Sequence, residues 1–144
     1  MFYKISSSPA LSPPNSSAII SFLESFYSIS DTESRHDDYV NSFTQNATLI
    51  MGPKTARGKD EILPLRKGLW THVASRKHTP ERVYFGGENE VMLYGTVKYV
   101  LKAQPEGEVE VPWAGRVVFE SGEEGLKMGF YQVYLDPSAQ SGKK

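Results

Sequence analysis

Apolar residues in the first half of the chain recur at helical spacing. Between residues 18 and 29 they occupy the i, i+3, i+4 and i+7 positions of one helix face. The residues on that face are Ile19, Phe22, Leu23, Phe26 and Tyr27. A break at Asp31-Thr32 precedes a shorter helix, which we expect over about 34–43. A third helix is predicted from about Lys59 to Ala74, where Pro64 would kink or restart it unless it lies in the first turn.

The second half of the chain has the alternating pattern of β-strands. A short strand is predicted earlier, over about 46–51, and ends at Gly52-Pro53. From His78 onward the apolar period falls from about 3.6 to about 2 residues. The long strands are predicted over about 78–86, 90–103, 109–120 and 126–135. Because the links between them are rich in turn-forming residues, consecutive strands should form antiparallel hairpins.

Helices followed by an antiparallel sheet predict a single α+β domain with its helices packed on one face of the sheet. We place this domain at residues 17–137, after a flexible leader rich in serine and proline at 1–16 and before a flexible tail at 138–144. The strand over 90–103 is apolar on both sides, with Leu93 on one and Met92 on the other. A second copy of the chain would cover the outer face, so a homodimer is expected.

Charge and residue types exclude several classes of partner. The chain has 144 residues, of which 16 are basic and 17 acidic, so no broad basic surface is expected to attract nucleic acid or an anionic membrane. It has no cysteine, which excludes disulfides, thiolate metal sites and a cysteine nucleophile. The three histidines, His36, His72 and His78, have no familiar metal-binding spacing, so we predict no metal.

The chain also lacks the apolar stretches that direct proteins to membranes. Its first residues do not form the apolar run of a secretory signal, and no stretch approaches the roughly 18 apolar residues of a membrane span. The location expected from these features is the cytoplasm.

Three segments carry a family resemblance: FTQNAT at 43–48, ARGKDEI at 56–62 and YQVYLD at 131–136. With the order of elements, they resemble the nuclear transport factor 2-like superfamily and, within it, SnoaL-like proteins, over about residues 17–137. Further segments, among them VPWAGR at 111–116, are similar to a fungal branch. The resemblance implies a cone-like, curved, mostly antiparallel sheet, with about three N-terminal helices on its concave face and a small hydrophobic molecule in its open end.

The superfamily implies a choice between catalysis and binding. Its members include ketosteroid isomerase, scytalone dehydratase, polyketide cyclases and epoxide hydrolases, whereas others only bind or dimerise. We therefore expect an isomerase, cyclase or dehydratase that needs no cofactor and acts on an apolar metabolite, as in secondary metabolism. The alternative is a non-catalytic small-molecule-binding or dimerisation domain. The aspartate base of ketosteroid isomerase would fall at about Met51 here, so that base is absent.

Four residues are candidates for catalysis: His78, Tyr94, Arg116 and Tyr131. A histidine near its ordinary pKa can act as an acid or a base at neutral pH, and a tyrosine can donate a hydrogen bond to a carbonyl or an enolate. The alternative for His78 is a strand-end histidine bonded to backbone, and for each tyrosine it is core packing. Arg116 would either pair with a carboxylate such as Glu120 or hold a ligand oxygen.

Four further residues are candidates for the pocket wall: Tyr27, Met51, Trp70 and Trp113. Trp113 stands beside Ala114 and Gly115, and these small residues would leave room for a ligand against the indole. Each of the four would otherwise belong to the core.

Overall fold

Three helices and a six-stranded sheet form the part of the chain that the computed structural model describes, residues 13–140, of which 139 and 140 are described in backbone only. The helices are α1 (Ser16–Ser30), α2 (His36–Asn41) and α3 (Lys59–Gly68). The strands are β1 (Phe43–Met51), β2 (Lys54–Arg57), β3 (Val73–Phe85), β4 (Glu90–Leu101), β5 (Gln104–Gly122) and β6 (Gly125–Tyr134). A turn of 3-10 helix, Pro137–Gln140, follows β6.

The strand order across the sheet is β2-β1-β6-β5-β4-β3. Every neighbouring pair is antiparallel except β1 and β6, which run parallel and bring Leu49 opposite Tyr131. The first and last strands of the domain are therefore neighbours in the middle of the sheet. This arrangement confirms the predicted α+β fold with a curved, mostly antiparallel sheet.

The core lies between the helices and one face of the sheet. Along β4 the residues alternate, so that Val91 and Leu93 are buried while Met92 and Tyr94 are exposed. The apolar face of α1 covers the buried side, where the Phe26 ring lies 5.5 Å from that of Tyr131. Apolar burial on this side of the sheet supplies the main driving force of folding.

The structure differs from the sequence prediction around α3. The helix ends at Gly68 and β3 already begins at Val73, so the predicted helix is too long and the predicted strand starts too late. Trp70 and Val73 are spaced like residues of one helix face, and both are buried. However, Trp70 lies in the turn after α3, and Val73 is the first residue of β3, where it pairs with Leu101. Pro64 lies within α3, which continues past it.

Other differences concern the edges of the domain. The strand β2 was not predicted, because its residues are exposed except for Ala56, which leaves no alternating pattern. α1 begins at Ser16, the last residue of the predicted leader, while residues 1–12 and 141–144 of the predicted leader and tail lie outside the described residues. No helix within the described residues is long and apolar enough to cross a membrane.

Candidate functional site

The end of α1 and the strand β3 bring Asp31 and His78 together. One carboxylate oxygen of Asp31 lies 2.5 Å from Nδ1 of His78, and the other accepts the backbone N–H of His78 at 3.0 Å. Both side chains are largely buried, with exposed fractions of 15% for Asp31 and 13% for His78. Two contacts from one carboxylate fix the position of the strand and of the ring together.

Burial sets the protonation of His78. It lowers the pKa of the imidazole below the ordinary 6.5, against the hydrogen bond and charge of Asp31, which raise it, while Arg76 and Arg66 lower it further. The ring is therefore neutral at neutral pH. Because Asp31 accepts the Nδ1 proton, the lone pair of the neutral ring is on Nε2. Nε2 makes no hydrogen bond with any of the described residues.

Aromatic rings hold the imidazole on two sides. The His78 ring centroid is 4.9 Å from that of Tyr27 and 5.5 Å from that of Trp113. The indole of Trp113 is itself fixed, because its Nε1 donates to the carbonyl of Thr96 at 2.9 Å. This packing restricts the ring of His78 to one orientation.

A buried pair of hydroxyls lies on the same face of the sheet. The hydroxyl oxygens of Tyr27 and Tyr131 are 2.9 Å apart. Burial raises the pKa of Tyr27 above its usual range and that of Tyr131 well above it, so both hydroxyls keep their protons at neutral pH. One proton lies in the shared hydrogen bond, and the other remains available for donation.

Several of these side chains line an inner cavity between the helices and the sheet. Its lining includes Arg76, His78, Tyr99, Trp113 and Tyr131. The free space is about 20 Å³, enough for one water molecule. A larger outer pocket of about 360 Å³, whose wall includes Lys54, Thr71 and His72, lies next to it. Met51, Leu69 and Leu135 line both spaces and so form the boundary between them.

Two buried arginines lie beside the inner cavity. Arg66 on α3 donates to the carbonyls of Ser30 at 2.7 Å, Thr32 at 2.8 Å and Ile29 at 3.3 Å, and to Nδ1 of His36 at 3.3 Å. Burial lowers the pKa of Arg66 to about 10, so it is still charged at neutral pH. It binds the end of α1, which carries Asp31, and it thereby positions that carboxylate. The second, Arg76, lines the cavity itself.

The structure brings together five of the predicted site residues. His78, Tyr131, Met51 and Trp113 line the inner cavity, and Tyr27 joins them through the hydroxyl of Tyr131. Trp70 is buried with Arg76 over its ring at 4.6 Å.

Tyr94 and Arg116 lie on the opposite face of the sheet. Tyr94 is 40% exposed and stacks on Tyr84, because its neighbour Leu93 occupies the buried side of β4. Arg116 pairs with Glu90 at 2.6 Å rather than with the Glu120 considered from sequence. Strand alternation therefore separates these two residues from the cavity.

Asp31, Arg66 and Arg76 were not predicted from the sequence to belong to the site. One signal was present for Asp31: it ends α1, where the helix dipole disfavours a negative charge. Arg76 stands two residues before His78, so both point to the same face of β3. Arg66 gave no signal, because a cation in the last turn of a helix is ordinary. Within residues 13–140 no group of acidic and histidine side chains could hold a metal ion, and the absence of a metal or cofactor stays a prediction.

Solved structures with the same fold come from several organisms. A candidate aromatic ring hydroxylase of Novosphingobium aromaticivorans matches 86% of this chain and 94% of its own at 17% identity, with a TM-score of 0.75. A candidate scytalone dehydratase of the same species matches 83% of each chain at 13% identity, with a TM-score of 0.71. Nuclear transport factor 2 of Cryptosporidium parvum matches 89% of this chain and all of its own at 13% identity, with a TM-score of 0.70.

No protein-family model matches the sequence, and no curated protein matches it significantly. At these low identities the structural matches establish the fold alone. The chain has the nuclear transport factor 2-like fold, which confirms the resemblance seen in its sequence. Its placement in a fungal branch stays a prediction.

Proposed function

We propose that the protein is a cofactor-independent enzyme that moves a proton on a small, largely apolar metabolite, in an isomerisation, cyclisation or dehydration. The observation that carries this proposal is the buried Asp31–His78 pair, whose free Nε2 belongs to a side chain lining the inner cavity. A neutral imidazole with one nitrogen fixed by a carboxylate is the arrangement of a general base.

The proposed reaction begins when Nε2 of His78 removes a proton from a carbon next to a carbonyl. The electron pair of that C–H bond moves to the carbonyl oxygen, which becomes an enolate. The free hydroxyl proton of the Tyr27–Tyr131 pair then stabilises this oxygen by a hydrogen bond. The imidazolium, held by Asp31, returns the proton to another carbon in an isomerisation, or to a departing hydroxyl in a dehydration. The solved structure described as a candidate scytalone dehydratase supports including dehydration.

A second candidate function is ligand binding without catalysis. The observation that favours it is the small inner cavity, whose 20 Å³ admits no metabolite while Met51, Leu69 and Leu135 keep their positions. In that case a ligand would occupy the outer pocket alone, and His78 would have only a structural role.

Profiling of metabolites with the purified protein separates the two functions. The protein is incubated in D₂O with a metabolite extract of its own organism, and mass spectrometry follows which compounds change. Catalysis predicts a product that gains deuterium at carbon or loses one water. The variants His78→Gln and Asp31→Asn should lower its rate by a factor of about 10²–10⁴, the usual contribution of a general base.

A matched pair of tyrosine variants provides the control. Tyr131→Phe removes a hydroxyl from the inner cavity, and Tyr94→Phe removes one from the outer face of the sheet. We expect the first to slow the reaction and the second to leave it unchanged. Turnover that is equally fast in His78→Gln would contradict the proposal, as would an extract in which the protein changes nothing.

A further inference from the structure

Arg76 has hydrogen-bonding capacity that the protein does not use. Its side chain is 6% exposed and lines the inner cavity. One terminal nitrogen donates to the carbonyl of Leu69 at 2.8 Å, and the guanidinium makes no other hydrogen bond with the described residues. A guanidinium has five N–H donors, so most of them remain free. Arg66 differs, because its Nε and both terminal nitrogens are engaged.

Positive charge at this site exceeds negative charge. No carboxylate of the described residues lies within 4.0 Å of either Arg66 or Arg76. Asp31 is the buried carboxylate here, and it faces a neutral His78. Glu33 also attracts Arg66, but it is exposed to solvent. Two buried cations against one buried anion are costly unless another anion balances them.

Aromatic rings offset this charge only in part. The guanidinium of Arg76 lies 4.6 Å from the Trp70 ring and 5.5 Å from the Tyr99 ring, so it gains cation–π stabilisation. The indole Nε1 of Trp70 is itself buried without a hydrogen-bond acceptor among the described residues. The surroundings of Arg76 therefore have a surplus of donors as well as of positive charge.

We propose that the ligand is an apolar carboxylic acid whose carboxylate binds the free face of Arg76 in the inner cavity. Its apolar part extends into the outer pocket, which requires the side chains of Met51, Leu69 and Leu135 to move apart. The forked guanidinium matches a carboxylate with two parallel hydrogen bonds, and the negative charge balances the site. Arg76 and His78 lie two residues apart on one face of β3, about 7 Å along the strand. A carboxylate on Arg76 thus places the adjoining carbons of the ligand near His78.

This proposal deepens the proposed function by naming the substrate class, and it rests on that function in taking the inner cavity as the ligand site. Its test measures binding rather than turnover. The probes are phenylacetate and phenylacetamide, which have similar shapes but differ in charge, with sodium formate as an anion small enough for a nearly closed cavity. Calorimetric titration gives the affinities of phenylacetate and phenylacetamide. Formate binding is measured as the rise in Tm in sodium formate over that in sodium chloride at equal ionic strength.

We expect phenylacetate to bind about tenfold or more tightly than phenylacetamide, as one charge-assisted interaction provides. Formate should raise Tm in proportion to the logarithm of its concentration. Arg76→Met should remove both effects, whereas Arg57→Met removes an exposed charge on β2 and should leave both unchanged. Arg76→Lys keeps the charge in the core and should retain part of the preference for phenylacetate over phenylacetamide. It replaces Arg76→Met in the test if that variant does not fold.

Equal affinity of the wild-type protein for phenylacetate and phenylacetamide would overturn the proposal. So would failure of both phenylacetate and formate to bind it. A preference for the acid that survives in Arg76→Met would overturn the proposal as well. The two proposals fail separately. His78→Gln should still bind phenylacetate, so acid binding without any turnover would contradict the enzyme alone. A His78-dependent reaction with no preference for acids would contradict the assignment of Arg76 alone.

Discussion

The carboxylate of Asp31 stands at a helix end that ordinarily disfavours it. The last carbonyls of α1 carry partial negative charge, and Asp31 adds a full one. Arg66 compensates by donating to three of those carbonyls from the neighbouring helix α3. One buried cation thus makes it feasible for an acidic residue to face His78 from this position.

The pH dependence of stability follows from the buried His78. Its pKa is below 6.5 in the folded protein and returns to about 6.5 on unfolding, so the unfolded chain binds more protons as pH falls through that value. The free energy of unfolding should therefore fall as the pH drops below about 7, by up to about 1.4 kcal/mol for each unit by which the pKa is lowered. Asp31 and Tyr27 contact the same ring, and the charges of Arg66 and Arg76 act on it from nearby.

Urea unfolding at a series of pH values measures this dependence. In His78→Gln the free energy of unfolding should fall less with decreasing pH, because the contribution of His78 is absent. In His72→Gln, which replaces an exposed imidazole, it should match the wild type. A wild-type protein as sensitive to acid as His78→Gln would show that His78 titrates alike in the folded and unfolded states.

At the scale of elements, the position of His78 depends on how closely β3 approaches β4. Just after His78, Pro80 lies opposite Gly95, and the register shifts before Arg82. A Cβ on Gly95 would fall on the carbonyl oxygen of Thr79 and within 2.8 Å of Cα of Pro80. Glycine is therefore required here for close approach of the two backbones.

Gly95→Ala should force β3 away from β4 and lower the free energy of unfolding by about 1–3 kcal/mol, the usual cost of overpacking. Gly122→Ala is the control, because a Cβ there meets no atom within 4 Å. Denaturant unfolding of both variants measures the difference. If the two variants are equally stable, the close approach at Gly95 is easily relaxed.

Elements were predictable where one pattern ran for many residues, as along α1 and β4, where alternation or helical spacing matches burial. The site was less predictable, because its central contact joins residues 47 positions apart. Alternation on β4 and β5 does not say which side is inward when both carry aromatic or charged residues. Tyr94 and Arg116 were thus as plausible in sequence as Tyr131, and only the packing of α1 on one face distinguishes them.

At the scale of the whole molecule, the outer face of the sheet stays exposed in the single chain. Four large apolar or aromatic residues lie there at 40–52% exposure: Tyr84, Met92, Tyr94 and Tyr134. The rings of Tyr84 and Tyr94 stack at 6.3 Å. Contiguous apolar surface of this kind is typical of an interaction site. It is the face on which we expect the homodimer predicted from sequence.

The double variant Met92→Lys/Tyr94→Lys should be monomeric, because it places two charges in that interface, while its circular dichroism stays that of a folded protein. Sedimentation velocity measures the mass of each species. Ile20→Lys places a charge on an apolar residue of α1 that is 39% exposed and lies on the helix side of the sheet, so this variant should remain dimeric. A wild-type protein that sediments as a monomer at micromolar concentration would contradict the dimer.

The parallel pairing of β1 with β6 has a consequence for the order of folding. β1 pairs with β2 early, but its other edge is complete only when β6, the last strand, arrives. During synthesis on the ribosome the apolar face of α1 therefore cannot pack against Tyr131 until all the intervening strands have been made. Contacts this distant along the chain slow folding and expose apolar surface in the meantime. The nascent protein should thus depend on chaperones until its final strand has emerged.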